Sequence, residues 1–203
     1  MGGVKGTLNV DYERNSVCLG ANFFCKIANI HIEGKNNSLT IGDNNEIIIN
    51  DNVSVVTELK VYCHDNSQCC KINIGNRTSF YKTEISTYDN GSTVSIGNDC
   101  MFGYDTIVYN TDGHAIFQKD KLINIAKDLI IGDHVWCGWG STILKNSYIA
   151  GGCVVGKGAI VSGKFEEVNS VIGGVPAKIL KRNIRWDRKS VNRVLEIKSA
   201  EKV

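Results

Sequence analysis

The stretch IGDHVWCGWGSTILKNSYIAGGCVVGKGAIV occupies residues 131–161 and carries an apolar residue at every sixth position. The series consists of Ile131, Cys137, Ile143, Ile149, Val155 and Val161. A small residue follows most of them, namely Gly132, Gly138, Ala150, Gly156 and Ser162, with Leu144 as the exception. Short repeats of fixed period are typical of a β-helix.

The six-residue spacing predicts a triangular prism. One hexapeptide forms a short strand and a turn, so it makes one face, and three hexapeptides return the chain to its start one strand spacing higher, ~4.8 Å. The apolar residue points inward, and the small residue lets the backbone turn at the corner. A single coil cannot bury its inner face, so stacked coils must supply the core.

Weaker copies of the repeat precede this stretch. Ile41, Ile47 and Val53 are six residues apart, as are Ile96, Phe102 and Val108. The irregular intervals between copies predict an all-β domain over residues 1–177, a parallel β-helix with inserted loops. An antiparallel sandwich with period-two strands remains an alternative for these earlier segments.

Two segments lack the repeat. Residues 109–128 are predicted to form an excursion loop, and long loops in compact domains are often functional. Residues 178–203 are rich in basic side chains, and Val191, Val194, Leu195 and Lys198 are spaced as one helical face. We expect a short C-terminal helix that packs across the end of the prism and caps it.

Composition excludes several classes of protein. The net charge of +2 gives little support to general binding of nucleic acid or membranes. No segment approaches the ~20 apolar residues of a membrane span. The first residues lack the apolar core of a signal peptide, so we expect a cytoplasmic protein with reduced, structural cysteines and no bound metal.

Four phrases of the sequence are similar to one family. They are TDGHAIF at 111–117, IGDHVWCGW at 131–139, the hexads to Val161, and GGVPAK at 173–178. They resemble the hexapeptide-repeat acyltransferases, and NIRW at 183–186 is similar to the polysaccharide O-acetyltransferase branch. The resemblance implies a left-handed helix, a homotrimer with acetyl-CoA between neighbouring prisms, and a sugar hydroxyl of a bacterial surface polysaccharide or its precursor as acceptor.

The expected catalytic residues are His114 and Trp136. Acyl transfer to an alcohol needs a base, and an imidazole exchanges a proton near neutral pH. Trp136 precedes an inward residue, so it should point outward and offer an N–H donor to the thioester, unless it only packs at a subunit interface. Asn110 and Asp112 could orient His114 or bind the acceptor, or simply form turns. His134 is expected to be an ordinary turn residue.

The expected acetyl-CoA site follows the regular coils. Trp139 could wall the pantetheine arm, and small or polar residues could let it approach the backbone: Gly138, Ser141, Gly156, Lys157 and Gly158. The resemblance places Pro176, Ala177 and Lys178 near the adenine and 3′-phosphate. Lys178, Lys181 and Arg182 are candidate phosphate partners, although such a cluster is usually a solvated face.

Three other functions remain open from the sequence. An enzyme of this kind could acetylate the nitrogen of an amino-sugar nucleotide or an antibiotic. A β-helical carbonic anhydrase needs three zinc-binding histidines, but His31, His64, His114 and His134 lack suitable spacing. A non-catalytic scaffold would have no use for His114 and the GGVPAK corner together.

Overall fold

The fold is described from a computed structural model. It covers residues 53–63, 70–87 and 91–201, together with six short strands between residues 8 and 49 for which, Ile49 excepted, only the backbone is described. His64 and the first residues of the predicted domain lie outside the described residues.

Twenty-three strands and one helix make up the described chain. They are β1 (Leu8–Asn9), β2 (Asn15–Leu19), β3 (Phe24–Ile27), β4 (Ile30–Ile32), β5 (Asn37–Ile41), β6 (Glu46–Ile49), β7 (Ser54–Cys63), β8 (Lys71–Ile74), β9 (Ser79–Thr87), β10 (Thr93–Ile96), β11 (Met101–Phe102), β12 (Thr106–Tyr109), β13 (Phe117–Gln118), β14 (Lys121–Leu122), β15 (Leu129–Ile131), β16 (Trp136–Cys137), β17 (Thr142–Leu144), β18 (Tyr148–Ile149), β19 (Val154–Val155), β20 (Ile160–Val161), β21 (Lys164–Phe165), β22 (Val171–Gly174), β23 (Ala177–Lys181) and α1 (Val191–Ala200).

The strands form the three faces of a prism. The first face is a seven-stranded sheet of β3, β6, β8, β10, β15, β18 and β21. The second face includes β11, β16, β19, β22 and β23, and the third includes β12, β17 and β20. The long strands β7 and β9 bend from the second face into the third, so these two faces form one sheet. This arrangement is the predicted parallel β-helix rather than an antiparallel sandwich.

The hexad residues form the core, as predicted. Ile131 is paired with Ile149, eighteen positions further on, and Val155 follows Cys137 by the same interval. All six hexad residues from 131 to 161 are buried, as are Ile96, Phe102 and Val108 in the coil beneath. The rings of Phe80 and Phe102 stack with centroids 4.8 Å apart. Stacked apolar residues therefore continue the core below the regular repeat.

The cysteines in the described part of the chain behave as small apolar residues. Cys70, Cys100, Cys137 and Cys153 are free and buried. Burial raises the pKa of the Cys100 thiol to about 11 and that of Cys137 well above its ordinary value. Such thiols stay protonated and unreactive near neutral pH, because the thiolate is the reactive form.

The C-terminal segment differs from the predicted cap. Strand β23 pairs antiparallel with β22 and so adds a last strand to the second face. The chain then descends along the prism, because Ile184 donates to the carbonyl of Asn169 and Arg188 reaches that of Arg77, several coils lower. Helix α1 begins only at Val191 and buries none of its residues. It lies beside the second face, not across the end.

Candidate active site

The predicted excursion loop is present at one corner of the prism. The chain leaves the third face after β12, forms the small antiparallel hairpin β13–β14, and rejoins the first face at β15. The insertion lengthens this coil, because Ile96 is paired with Ile131 instead of a residue eighteen positions away. His114 lies on the outgoing arm of the loop and is exposed.

The amide of Asn124 joins the two arms of the loop around His114. Its Nδ2 donates to Asp112 Oδ2 at 3.0 Å and to the carbonyl oxygen of His114 at 2.7 Å. Its Oδ1 accepts from the backbone N–H of Ile116 at 2.7 Å. One side chain therefore bonds three alternate residues of the outgoing arm, Asp112, His114 and Ile116.

Lys145 ties this network to the prism. Its Nζ donates to Asp112 Oδ2 at 2.5 Å and to the carbonyl of Asn124 at 2.8 Å. The hydrogen bond from Lys145 is the main reason that the pKa of Asp112 lies below its ordinary value; partial burial opposes the shift and Asn124 adds to it. Asp112 is thus engaged with Asn124 and Lys145 within the loop, and both predicted roles, orientation of His114 and contact with the acceptor, stay predictions.

A cavity of about 380 Å³ opens beside His114. It is lined by Thr111, Gly113, His114, Ala115, Leu122, Asn124 and Ile125. The cavity is large enough for a sugar-sized group, and its lining mixes apolar side chains with a few polar ones, as small-molecule sites do.

Asn110 does not reach this cavity. Its side chain is fully buried, and neither Oδ1 nor Nδ2 has a partner in the structure. The sequence suggested a contact with the acceptor, but the chain turns inward at Asn110 before the loop departs. The residue therefore lies beneath the loop and cannot touch a substrate in this conformation.

Trp136 lies on another face of the prism. It stands on β16 of the second face, with 38% of its surface exposed, as its position before an inward hexad residue predicted. It lines a groove of about 550 Å³ with Met101 and residues of the C-terminal segment, and His114 is not part of that groove. A single chain therefore does not bring His114 and Trp136 together.

A clasp of four residues, Asp99, His134, Trp186 and Arg188, holds the C-terminal segment beside Trp136. Trp186 Nε1 donates to the carbonyl of His134 at 2.9 Å, and the Trp186 and Trp136 rings lie 6.0 Å apart. Arg188 donates to Asp99 Oδ1 at 2.9 Å and to the carbonyl of Cys100 at 2.7 Å. His134 is thus part of this clasp rather than an ordinary turn residue.

Most of the predicted acetyl-CoA residues share the edge between the second and third faces. The turn with Gly138, Trp139 and Ser141 joins β16 to β17, and the turn with Gly156, Lys157 and Gly158 lies directly above it between β19 and β20. The Val175–Pro176 turn follows β22, one coil higher again, and Ala177 begins β23 directly after it. Residues far apart in sequence therefore line one continuous edge.

The glycine N–H groups on this edge are already engaged. Gly138 donates to Val155, Gly156 to Ile172 and Gly158 to Trp139, all at 2.8–2.9 Å between coils. These groups are not the free donors that pantetheine amides require. Gly138 is needed for close stacking, because a Cβ there would lie 2.8 Å from the carbonyl oxygen of Val155.

On this edge, side chains rather than backbone N–H groups are available to contact a ligand. Trp139 is 53% exposed, its ring lies 5.4 Å from Tyr104, and Lys157 Nζ lies 5.1 Å from its centroid. Its Nε1 donates to Asp105 Oδ2 at 3.2 Å. Ser141 is fully buried, and its Oγ has no partner, so it does not face a ligand directly.

The three candidate phosphate partners are separated. Lys178 is paired with Gly173 near the Pro176 turn, whereas Lys181 is paired with Val171 at the other end of β23. Three residues of strand span about 10 Å. Arg182 forms an ion pair with Glu167 at 2.9 Å. Only Lys178 of this group therefore lies beside the predicted cofactor corner.

Several functional contacts were not predicted from the sequence. Asn124 and Lys145 have no local motif, and their role depends on contacts across 12 and 33 positions with Asp112. Arg188 reaches Arg77, 111 positions away. Among the described residues, no three His, Cys, Asp or Glu side chains cluster as metal ligands, and no helix there is long and apolar enough to cross a membrane.

Known proteins share the whole architecture. No protein-family model matches the chain. It is 40% identical over 186 residues to the polysialic acid O-acetyltransferase of Neisseria meningitidis, covering 90% of this chain and 80% of that protein. The solved structure of the polySia-specific acetyltransferase NeuO matches with a TM-score of 0.68 at 28% identity, over 98% of this chain and 91% of that one. The structure of the polysialic acid O-acetyltransferase OatWY matches with a TM-score of 0.52 at 26% identity, over 100% and 98%.

These likenesses confirm the predicted left-handed parallel β-helix with a short C-terminal helix. The fold and the named relatives together define an acyltransferase of the β-helix class. The chain belongs to the hexapeptide-repeat acyltransferase family.

Proposed function

We propose that this protein transfers an acetyl group from acetyl-CoA to a hydroxyl of a bacterial surface polysaccharide, and that the acceptor is a sialic acid polymer. The observation that carries the proposal is the 40% identity to a polysialic acid O-acetyltransferase along almost the whole chain. The exposed loop histidine and its adjoining cavity supply the groups that this chemistry needs.

His114 acts as the general base in this proposal. Its imidazole takes the proton of the acceptor hydroxyl as the oxygen attacks the thioester carbonyl. The C–S bond then breaks, the acetyl group stays on the sugar oxygen, and the proton passes to the CoA sulfur, which leaves as the thiol. A thioester is already activated, so no covalent enzyme intermediate is required.

The acetyl donor lies along the edge of Trp139 and Lys157. The apolar face of Trp139 contacts the pantetheine arm, and Lys178 at the Pro176 turn meets the nucleotide phosphates. The edge spans three stacked turns, about 10 Å from the lowest to the highest, so several groups along it can contact one ligand. Trp136 offers its indole N–H to the thioester from the neighbouring face.

A homotrimer completes the site. His114 and Trp136 lie on different faces of one prism, so they meet only if the loop of one chain reaches the second face of another. The loop carries exposed apolar side chains that a partner would cover: Ile116, Phe117, Leu122, Ile123 and Ile125. Cyclic closure with such a heterologous contact gives equivalent sites.

A cytoplasmic location accompanies this proposal. The acetyl donor is an intracellular metabolite, and the free, buried thiols of Cys70, Cys100, Cys137 and Cys153 fit a reducing compartment.

Thiol release tests the function directly. The full chain is incubated with acetyl-CoA and polysialic acid, and free CoA is measured with a thiol reagent while O-acetyl esters are measured on the polymer. We expect equal amounts of both products. Dextran serves as a neutral control. Thiol release that is no faster with polysialic acid than with dextran would contradict the proposed acceptor.

A further inference from the structure

We infer that Asn124 and Lys145 are positioning residues that hold His114 in place for proton transfer. The inference rests on the proposed function, because it assigns these residues a role at the same histidine. It concerns the returning arm of the loop and the neighbouring coil, not the outgoing arm on which His114 lies.

The first observation is that the side chain of Asn124 forms hydrogen bonds with three residues of the outgoing arm. Its amide bonds the Asp112 carboxylate, the His114 carbonyl and the Ile116 N–H at 3.0, 2.7 and 2.7 Å. The backbone also pairs the two arms, from the Ile123 N–H to the Ile116 carbonyl at 2.9 Å and between β13 and β14 further out, but no backbone bond between the arms is made by His114 itself among the described residues. Asn124 therefore determines where the backbone of His114 lies and which way its side chain departs.

The second step is the anchor that Lys145 provides. It follows β17 in the regular part of the prism, and its side chain is only 20% exposed. Its single ammonium bonds one residue from each arm, the carboxylate of Asp112 and the carbonyl of Asn124. Lys145 thereby anchors both arms of the loop to a rigid coil of the prism.

The third step is that burial does not hold the loop. Ile116, Phe117 and Ile125 are 49%, 62% and 63% exposed in one chain. With so little packing within one chain, the polar network and the β13–β14 pairing are the constraints on the loop before a partner covers it. Small displacements of a reacting group slow the reaction strongly, since a misplacement of about 1 Å can lower the rate about 10²-fold.

Asn124→Asp is the sharpest test. The substitution preserves shape and the acceptor for Ile116, but it removes both donors and places a carboxylate beside Asp112. We expect kcat to fall about 10- to 100-fold, with the KM for acetyl-CoA changed less than about twofold, because the donor binds elsewhere. Lys121→Ala, on the exposed hairpin, is the matched control and should retain full activity.

A double-mutant cycle separates positioning from general damage. If Asn124 acts through the histidine, then Asn124→Asp should cost less than about twofold in a His114→Ala background. Equal losses in both backgrounds would overturn the inference, as would full activity of Asn124→Asp. Thermal melting verifies folding, and if Asn124→Asp does not fold, Lys145→Met takes its place, with Lys145→Arg expected to restore part of kcat.

The same assays keep the two proposals apart. An inactive wild-type protein would count against the proposed function itself. An active wild type that is sensitive to His114→Ala but indifferent to Asn124→Asp and Lys145→Met would overturn only the positioning role.

Discussion

The imidazole of His134 lies face to face on the indole of Trp186, with ring centroids 4.0 Å apart and planes 10° apart. His134 Nδ1 bonds Asp99 Oδ2 at 2.7 Å, and Asp99 also accepts from Arg188. His134 has a φ of 55°, a left-handed conformation that few side chains adopt. The contact links a prism corner to the C-terminal segment and brings Trp186 beside Trp136.

Replacement of Arg188 by alanine should loosen this segment. The guanidinium bonds Asp99, Ser79 and the carbonyls of Arg77 and Cys100. Because the side chain is one third exposed, we expect a loss of about 1–2 kcal/mol, which is about 2–8 °C in melting temperature at this chain length. Differential scanning calorimetry measures the shift. Arg193→Ala removes only an exposed pair with Glu196 and should change stability by less than about 0.5 kcal/mol.

The stabilisation from Asp99 should disappear in acid. Partial burial alone would raise the pKa of Asp99, but hydrogen bonds from His134 and Arg188 outweigh it and hold the pKa below its ordinary value of 3.8. The ionised carboxylate therefore stabilises the fold above that value, and the contribution is lost as the pH falls through the lower folded-state pKa. The gap in melting temperature between wild type and Asp99→Asn should narrow from pH 6 to pH 3. A gap that stays constant would refute this.

His114→Ala should reduce turnover without weakening donor binding. A positioned base contributes about 10²–10⁴-fold to the rate, whereas acetyl-CoA is proposed to bind along the Trp139 edge. Steady-state kinetics with polysialic acid should show kcat reduced by this factor and the KM for acetyl-CoA nearly unchanged. Gln118→Ala is the control, because Gln118 pairs with Lys121 on the face of the hairpin opposite Phe117 and Leu122. Thiol release at the wild-type rate would remove His114 from the mechanism.

Lys178 and Lys181 should differ in their effect on acetyl-CoA. Lys178 lies beside the Pro176 turn, and Lys181 lies at the far end of β23. Loss of a phosphate contact removes uniform binding, so Lys178→Ala should raise KM several-fold and leave kcat intact. The rise should be smaller with a donor that lacks the 3′-phosphate. Equal increases in the KM for acetyl-CoA in Lys178→Ala and Lys181→Ala would show that neither lysine binds the 3′-phosphate specifically.

The apolar tip of the loop should be needed for assembly. Phe117 is 62% exposed in the single chain, which is unfavourable for an aromatic side chain unless a partner covers it. Sedimentation equilibrium of the wild type should give three times the chain mass of 22.3 kDa. Phe117→Asp should shift the protein toward monomer and abolish acetyl transfer. A fully active monomer would rule out the shared site.

Much of the fold could be predicted because the hexad is a local signal. Ile131, Cys137 and Ile149 each follow the same rule, an inward apolar residue and then a small one, and every one of them is buried. The outward position of Trp136 and the excursion loop over residues 109–128 were predicted from the same period. The left-handed turn of the coils was predicted from the family resemblance, because a six-residue period does not distinguish left-handed from right-handed coils.

The placement of the C-terminal segment could not be predicted in this way. Val191 and Leu195 share a helical face, which predicted a packed cap, yet both are exposed. The segment is held instead by Trp186 and Arg188, which meet His134, Asp99 and Arg77 on coils far below. A periodic pattern describes a helix but not the partner against which it lies.

The sequence alone determined the repeat, the core residues and the histidine-bearing loop, because each depends on spacing along the chain. Tertiary structure alone decided that Asn124 bonds the carbonyl of His114 and Lys145 bonds Asp112, that Asn110 is buried and that Lys178 is separated from Arg182. These relations join residues of different coils and loop arms through side-chain hydrogen bonds and strand register. Such contacts depend on which positions the stacked coils bring together, and no local pattern of residues records that.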